Sequence, residues 1–370
     1  WIEHKSTRCM EFLIVKKPFV VSTYLLPVYA FLFFFSTTVE GHANVPAVLA
    51  FGDSILDTGN NNYLPTITKS NFPPYGIDLP GRVPTGRFGD GRVFSDLIAE
   101  GLGVKGMLPP YLDPHLQDSE LPTGVCFASA GSGLDDITAR IQSIQTITDQ
   151  LYRFKEYISR LRNVVGEQKA NYIISKAVFL ISSGNNDLGI TYYGLHLRPL
   201  FGIDAYTSQL VTLASKLVKD LYNLGARKIA FMSTVPLGCL PVARTVFGGV
   251  TRNCVEFGQQ SAELFNSKLA SEIRSLNNNL PNSTIFYLDI FNPLLDLINN
   301  PEASGFEVAD RGCCGTGTFE MGLAFCTPLN PFTCPNPSKF VFWDSAHPTE
   351  RAYRTIVPEI VHKYASQFSA

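Results

Sequence analysis

The chain has 370 residues, of which 45% are hydrophobic and 17% charged, and a formal net charge of −2. That length and apolar content allow a large buried core. The near-neutral balance, with no block of Lys and Arg, excludes nucleic acid as a partner and offers no electrostatic pull on an anionic substrate.

Taken from the amino terminus, residues 1–9 precede the first methionine, Met10, and are read as a leader outside the fold. Lys16 and Lys17 then introduce an uncharged, Phe- and Leu-rich stretch over residues 18–38, which ends in small residues near Gly41 and Ala43. A basic start, an apolar middle and a small-residue end describe a secretory signal peptide. About 20 apolar residues could also span a bilayer. Pro27 and the position at the extreme amino terminus favour cleavage, near residues 40–44. The expectation is therefore a removed segment, residues 1–44, and a single domain over residues 45–370. The mature part keeps 26 of the 30 basic and 29 of the 32 acidic side chains, a net charge of −3. No second run of that length follows, so no membrane span is expected in the mature chain. The oligomeric state is not legible.

Short apolar runs at 47–51, 125–128, 177–182, 228–233 and 284–288 read as buried strands. Helical spacing recurs at 94–102, over a long amphipathic pattern at 137–165, at 205–224 before Gly225, and at 254–276 after a capping Asn253. A last helix is expected from Thr349 to about residue 368, with Pro348 at its first position. Strands alternating with helices imply a parallel sheet covered on both faces. Two long Gly/Pro/Asn-rich loops, 60–92 and 305–339, are expected to be functional or cross-linked.

Of the eight cysteines, Cys9 lies before the signal and Cys126 within an apolar segment, where a buried free thiol is expected. The other six, Cys239, Cys254, Cys313, Cys314, Cys326 and Cys334, lie in loop-like sequence. In an oxidising compartment they read as three disulfides, with Cys239–Cys254 the preferred local pair and the adjacent Cys313 and Cys314 holding different partners. No His stands at ligand spacing from them, so no metal site is expected. Asn282-Ser283-Thr284 is a glycosylation sequon.

Three motifs carry chemistry. Gly52-Asp53-Ser54 follows the first strand, which puts a hydroxyl at the carboxyl edge of the sheet, where ligands bind in open α/β folds. Ser183-Gly184-Asn185-Asn186-Asp187 ends the third apolar run in the same way. Asp344-Ser345-Ala346-His347 precedes the last helix, and side chains three residues apart share a face of a helical turn. A serine needs a base to take its proton, and the imidazole needs a carboxylate to hold its tautomer. Ser54, His347 and Asp344 supply those parts in order. Donors for a developing oxyanion are available from the Ser54 amide, from an amide in the Ala128–Gly133 segment, and from the Asn186 side chain. His115, His196 and His362 lack comparable context. No Gly-x-Ser-x-Gly elbow occurs, which disfavours an α/β-hydrolase.

At this point the chain resembles a family. Phe51-Gly52-Asp53-Ser54-Ile55-Leu56-Asp57-Thr58-Gly59-Asn60-Asn61 is similar to the first block of the plant GDSL esterases/lipases, members of the SGNH hydrolase superfamily. Gly124–Gly131, Gly184–Asp187 and Asp344–Thr349 resemble the second, third and fifth blocks. Thr85-Gly86-Arg87-Phe88 and Cys313-Cys314-Gly315 resemble plant-member signatures. The resemblance covers residues 46–368. It implies an α/β/α three-layer sandwich with a mainly parallel, flavodoxin-like sheet, and a secreted serine esterase/lipase acting on a small-molecule ester or lipid without cofactor. It also implies a Ser54, Asp344 and His347 triad, with Ser54, Gly131 and Asn186 as the oxyanion hole. Ile55 replaces the family's Leu, Cys126 stands where many members carry Asn, and Ala130 where many carry Gly. Gly131 and Gly133 thus stay open as the second amide donor. The competing readings are an acyltransferase using the same triad and a non-catalytic secreted binding protein.

Overall fold

Four five-residue strands, β1 (Val48–Gly52), β2 (Val178–Ser182), β3 (Lys228–Met232) and β4 (Thr284–Leu288), pair in parallel in the order β1-β2-β3-β4. They belong to a computed structural model that describes residues 45–316, 320, 326–329 and 332–369. The expected leader and signal segment, residues 1–44, lies outside the described residues. No helix among the described residues is long and apolar enough to cross a membrane.

The β1, β2 and β3 strands are buried along their whole length, as expected of near-continuous apolar runs in a parallel sheet covered on both faces. The pairing runs Val48 with Val178, Val178 with Lys228, and Lys228 with Thr284. The strands are therefore level with one another, and all deliver their carboxyl ends to one edge.

The run at 125–128 is not a full strand. Cys126 makes a single parallel bridge to Ala50, and the segment lies along β1 through bonds such as Phe127 N to Ala50 O (2.7 Å) and Ser129 N to Gly52 O (2.9 Å). Its outer side makes one further parallel bridge, to Pro110, through Cys126 N to Pro109 O (2.9 Å) and Tyr111 N to Cys126 O (2.9 Å), and the buried Asn60 amide donates to Cys126 O (2.9 Å) and Ala128 O (2.8 Å). Counted in chain order with this segment as the second strand, the sheet reads 2-1-3-4-5, the flavodoxin-like order.

Right-handed crossovers fix the layers. Helix α1 (Phe94–Gly101), on the way from β1 outward to the 125–128 segment, falls on one face. Helices α3 (Ile147–Val165), α5 (Ile203–Asn223) and α7 (Glu256–Asn279), on the way back across β1 and on to β4, fall on the other. Helices α5 and α7 pack on each other, and α9 (Glu350–Lys363) packs on α1. The result is a three-layer α/β/α sandwich. Its core is aromatic: the Phe51 ring lies 4.9 Å from Phe127, 5.6 Å from Phe154 and 6.2 Å from Phe179 between centroids.

Some expected boundaries shift for identifiable reasons. The pattern at 137–165 divides into α2 (Asp136–Arg140) and α3, because Thr146 caps α3 by accepting from Asp149 N while Asp149 bonds back to Thr146 N. Helix α7 starts at Glu256, after the disulfide-bonded Cys254, so Asn253 does not cap it. Pro348 is not the first residue of α9. It bridges Phe342, and Thr349 caps the helix by accepting from Ala352 N. Helices α4 (Glu167–Lys176), α6 (Pro241–Phe247), α8 (Phe291–Asn299) and α10 (Ala365–Ser369) complete the set of α-helices among the described residues.

A second, two-stranded parallel pair, β5 (Val308–Gly312) and β6 (Phe340–Phe342), stands apart from the main sheet. The disulfides are Cys239–Cys254, the pair preferred from the sequence, with Cys313–Cys334 and Cys314–Cys326, which give the adjacent cysteines different partners, and Cys126 is a buried free thiol. The two latter bridges link the loop after β5 within itself, and Cys313 N and Cys314 N bond to Phe342 O and Trp343 O. The loop is thereby tied to the strand that leads into Asp344.

Candidate active site

The site is built at the carboxyl edge of the sheet, where the chain leaves β1 and β2 on opposite sides of the switch in strand order. Gly52 ends β1 with φ near +118°, and a Cβ there would stand 1.8 Å from Ser182 O, so only glycine lets β1 and β2 approach this closely. Gln150, on the buried face of α3, grips Gly52 from the side. Its Oε1 accepts from Gly52 N (2.8 Å) and its Nε2 donates to Gly52 O (3.0 Å). The next turn is held by Asp53, which accepts from Ile55 N, the Ser182 hydroxyl and the Asn185 amide. Ser54 is thereby turned out of the sheet into a cavity of about 360 Å³.

Asp344 and His347 do meet, though not on a helical turn. They lie in a bent loop before α9. Asp344 Oδ1 accepts from Ala346 N (2.9 Å) and His347 N (2.8 Å), which curls the loop around the carboxylate. Both Asp344 oxygens lie 2.8 Å from His347 Nδ1, and His347 Nε2 lies 2.7 Å from Ser54 Oγ. The three groups expected from the sequence thus form one hydrogen-bonded chain across 293 residues of separation.

The remaining expected residues line the same cavity. Asn186 follows β2 and precedes a π-type helix, Asp187–Gly194. Its Nδ2 donates to Ser132 O (2.9 Å), leaving the second amide hydrogen for a ligand. Gly131 lines the cavity. Gly133 packs instead on Asp187, whose carboxylate would lie 2.5 Å from a Cβ at that position. Asp187 accepts from Leu134 N, Asp135 N and the Thr138 hydroxyl, which fixes the whole glycine-rich turn.

The amides are not equivalent. Those of Ile55, Leu56 and Asp57 and of Ala130 and Ser132 all have acceptors. The Ser54 and Gly131 amides, which lie between them, have none among the described residues. Backbone N–H groups removed from bulk water are almost always paired. Two open ones lining one cavity are donors waiting for an oxygen.

Burial pushes the Asp53 carboxyl up to about 6 against the Asn185, Ser182 and Ile55 donors. Burial acts on Asp344 in the same sense, but the His347 ring and the Ala346 and His347 amides outweigh it and hold this carboxyl below its usual range. Asp344 therefore stays ionised beside the imidazole. Burial also pushes the Cys126 thiol up to about 12, so it is no nucleophile near neutral pH.

His115, His196 and His362 do not line the cavity, and no cluster of metal-ligating side chains occurs among the described residues. Sequence reasoning missed three contributors. Gln150 was legible as a polar residue on the apolar stripe of α3. Arg87 stood in a quoted motif without a role: it donates to both oxygens of Asp96 on α1 (2.7 and 2.9 Å), and thereby seats Phe88 against the His347 ring, 5.2 Å between centroids. Tyr75 carried no signal at all. Its hydroxyl donates to Asp344 Oδ2 (2.8 Å) from 269 residues away.

Comparison with known proteins gives the same picture over nearly the whole chain. The family model of GDSL-like lipases/acylhydrolases matches residues 48–360. The chain is 50% identical to the GDSL esterase/lipase At5g63170 of Arabidopsis thaliana over 336 residues, 90% of this chain and 95% of that protein. It is 51% identical to At1g73610 of the same organism over 332 residues, 89% and 92% of the two chains. It is 45% identical to the Arabidopsis GDSL esterase/lipase EXL3 over 324 residues, 88% and 89%.

Proposed function

We propose that this chain, which belongs to the GDSL-like lipase/acylhydrolase family and is a carboxylic ester hydrolase, works through a covalent acyl-enzyme on Ser54. The observation that carries this reading is the bonded series from Ser54 Oγ through His347 to the buried Asp344 carboxylate. In the first step Ser54 Oγ attacks the ester carbonyl carbon as its proton passes to His347 Nε2. Asp344 holds the ring in the required tautomer and stabilises the imidazolium. The carbonyl oxygen, now an alkoxide, takes hydrogen bonds from the Ser54 and Gly131 amides and Asn186 Nδ2. The alkoxide collapses, the C–O bond to the alcohol breaks, and His347 returns its proton to the departing oxygen. Water repeats the sequence against the acyl-serine and releases the acid.

Ile55, Phe88, Ile190, Leu237, Leu240 and Val242 give the cavity an apolar wall, and among the described residues no Lys or Arg lines it. The substrate this wall suits is an uncharged ester with an apolar acyl group. Three disulfides require an oxidising compartment, and Asn282 lies in an exposed turn before β4. Both support a secreted, glycosylated protein, with residues 45–370 acting as one hydrolase domain.

Ser54→Ala should lower turnover of a p-nitrophenyl ester by at least about 10⁴-fold with an unchanged circular dichroism spectrum. Labelling by a fluorophosphonate should be lost as well. Retained turnover or labelling would sink the assignment.

A further inference from the structure

We propose that Tyr75 is a positioning residue for the Asp344–His347 pair: its hydroxyl fixes the outer carboxylate oxygen, so that loop 60–92 holds the charge relay in place from the opposite side. The proposal rests on the Ser54 reading above.

The carboxylate of Asp344 has two oxygens and several suitors. Oδ1 is fully engaged by the Ala346 and His347 amides within its own loop. Among the described residues Oδ2 has two partners, His347 Nδ1 and, from outside that loop, the Tyr75 hydroxyl, each at 2.8 Å. A carboxylate held only within its own loop can shift with that loop and its histidine, and one also held from a second segment cannot. Tyr75 itself cannot swing. Its ring is buried between Phe72 (5.4 Å between centroids), Phe88 (6.0 Å) and Trp343 (6.1 Å), and Tyr75 N bonds to Phe72 O. Cys313, Cys314 and Cys326 join it in one small apolar cluster, separate from the main core. The hydroxyl is thus presented from a rigid, cross-linked platform. Burial and the Asp344 charge keep the phenol well above its usual range, so it remains a donor throughout the working pH range.

Tyr75→Phe removes the hydroxyl and keeps every ring contact, so a slower folded enzyme reports the lost bond to Asp344.

The experiment compares the full mature protein, Tyr75→Phe and Ser54→Ala on a p-nitrophenyl ester between acid and neutral pH, with thermal unfolding measured alongside. For Tyr75→Phe the expected result is a fall in kcat of about tenfold with KM little changed, as for loss of one hydrogen bond to a charge. If the variant folds in low yield, fluorophosphonate titration counts the folded sites, since only folded protein reacts, and kcat is expressed per site. An unchanged kcat per site overturns the proposal, because a purely structural role lowers the folded fraction and the melting temperature without slowing the folded enzyme. Activity retained by Ser54→Ala overturns the underlying triad instead, so the two failures are distinguishable.

Discussion

The candidate active site is assembled from two halves that solve the same problem differently. The sheet-edge half carries Ser54, Gly131 and Asn186, and is held by buried carboxyls, Asp53, Asp57 and Asp187, that accept only from neutral donors. Burial pushes each of these up to about 6. The carboxy-terminal half carries Asp344, equally buried, yet its carboxyl stays below the usual range because an imidazole lies against it. Depth alone does not decide whether a buried acid is charged. The sheet-edge acids act as hydrogen-bonding brackets, and Asp344 acts as a counter-charge.

The halves differ in covalent support too. The sheet-edge half hangs on strand register, with β1 and β2 level from Val48 and Val178 to Gly52 and Ser182. The other half hangs on a loop linked by Cys313–Cys334 and Cys314–Cys326, which bonds to the residues entering Asp344.

The largest effect should come from breaking the register. Gly52→Ala forces a methyl group into Ser182 O at a backbone angle that L residues avoid. It should destabilise by more than about 4 kcal/mol, read as loss of soluble folded protein or a collapse of the denaturant midpoint. Recovery of wild-type stability would mean that β1 and β2 are not held as tightly as described.

Removing cross-links should affect the other half alone. Replacing both Cys313 and Cys334 by Ser opens a loop with a sequence separation of 21. It should cost about 3 kcal/mol on the loop-entropy account. Amide exchange should quicken at residues 340–349 while β1 to β3 keep their protection. Uniform loss across the sheet would show that the two halves are one cooperative unit.

The smallest and most diagnostic effect is on pH dependence. Asp187 has a raised folded pKa, about 6, so its contribution to stability is fully present below the unfolded carboxylate value and is lost as pH rises through about 6. Asp187→Asn should remove about 1–3 kcal/mol of the stability gained between pH 7 and pH 4. Asp344 works with the opposite sign: its contribution is present above the unfolded carboxylate value and fades as pH falls through its lower folded value. Denaturant unfolding of Asp187→Asn and the parent protein across that window separates the two. An unchanged slope for Asp187→Asn would place its carboxyl in solvent contact.

Much of this was legible in the chain. Ser54, Asp344 and His347 each stand beside an element boundary marked by composition: an apolar run ending in glycine, or a proline before a helix. Cys239 and Cys254 are close enough in sequence for their pairing to be read. The 125–128 run misled because apolar residues beside a strand look like a strand, while its pairing stops at isolated bridges to Ala50 and Pro110 and the Asn60 amide takes the Cys126 and Ala128 carbonyls, which periodicity cannot see. The loop 60–92 was marked as functional by its length. Its part in orienting the site rests on Arg87, Phe88 and Tyr75, whose partners lie on α1 and in the Asp344–His347 loop.

The sequence by itself pointed to the reaction class, the alternating α/β order and the candidates Ser54, His347 and Asp344, because those depend on residue type and on short-range pattern. Only the tertiary structure decided that Gly131 rather than Gly133 faces the cavity, that Asp344 and His347 meet in a loop rather than on a helix, and that Tyr75 completes the carboxylate's bonding. Each of those depends on contacts between distant segments, and which donor reaches a buried oxygen is set by packing geometry that no local pattern encodes.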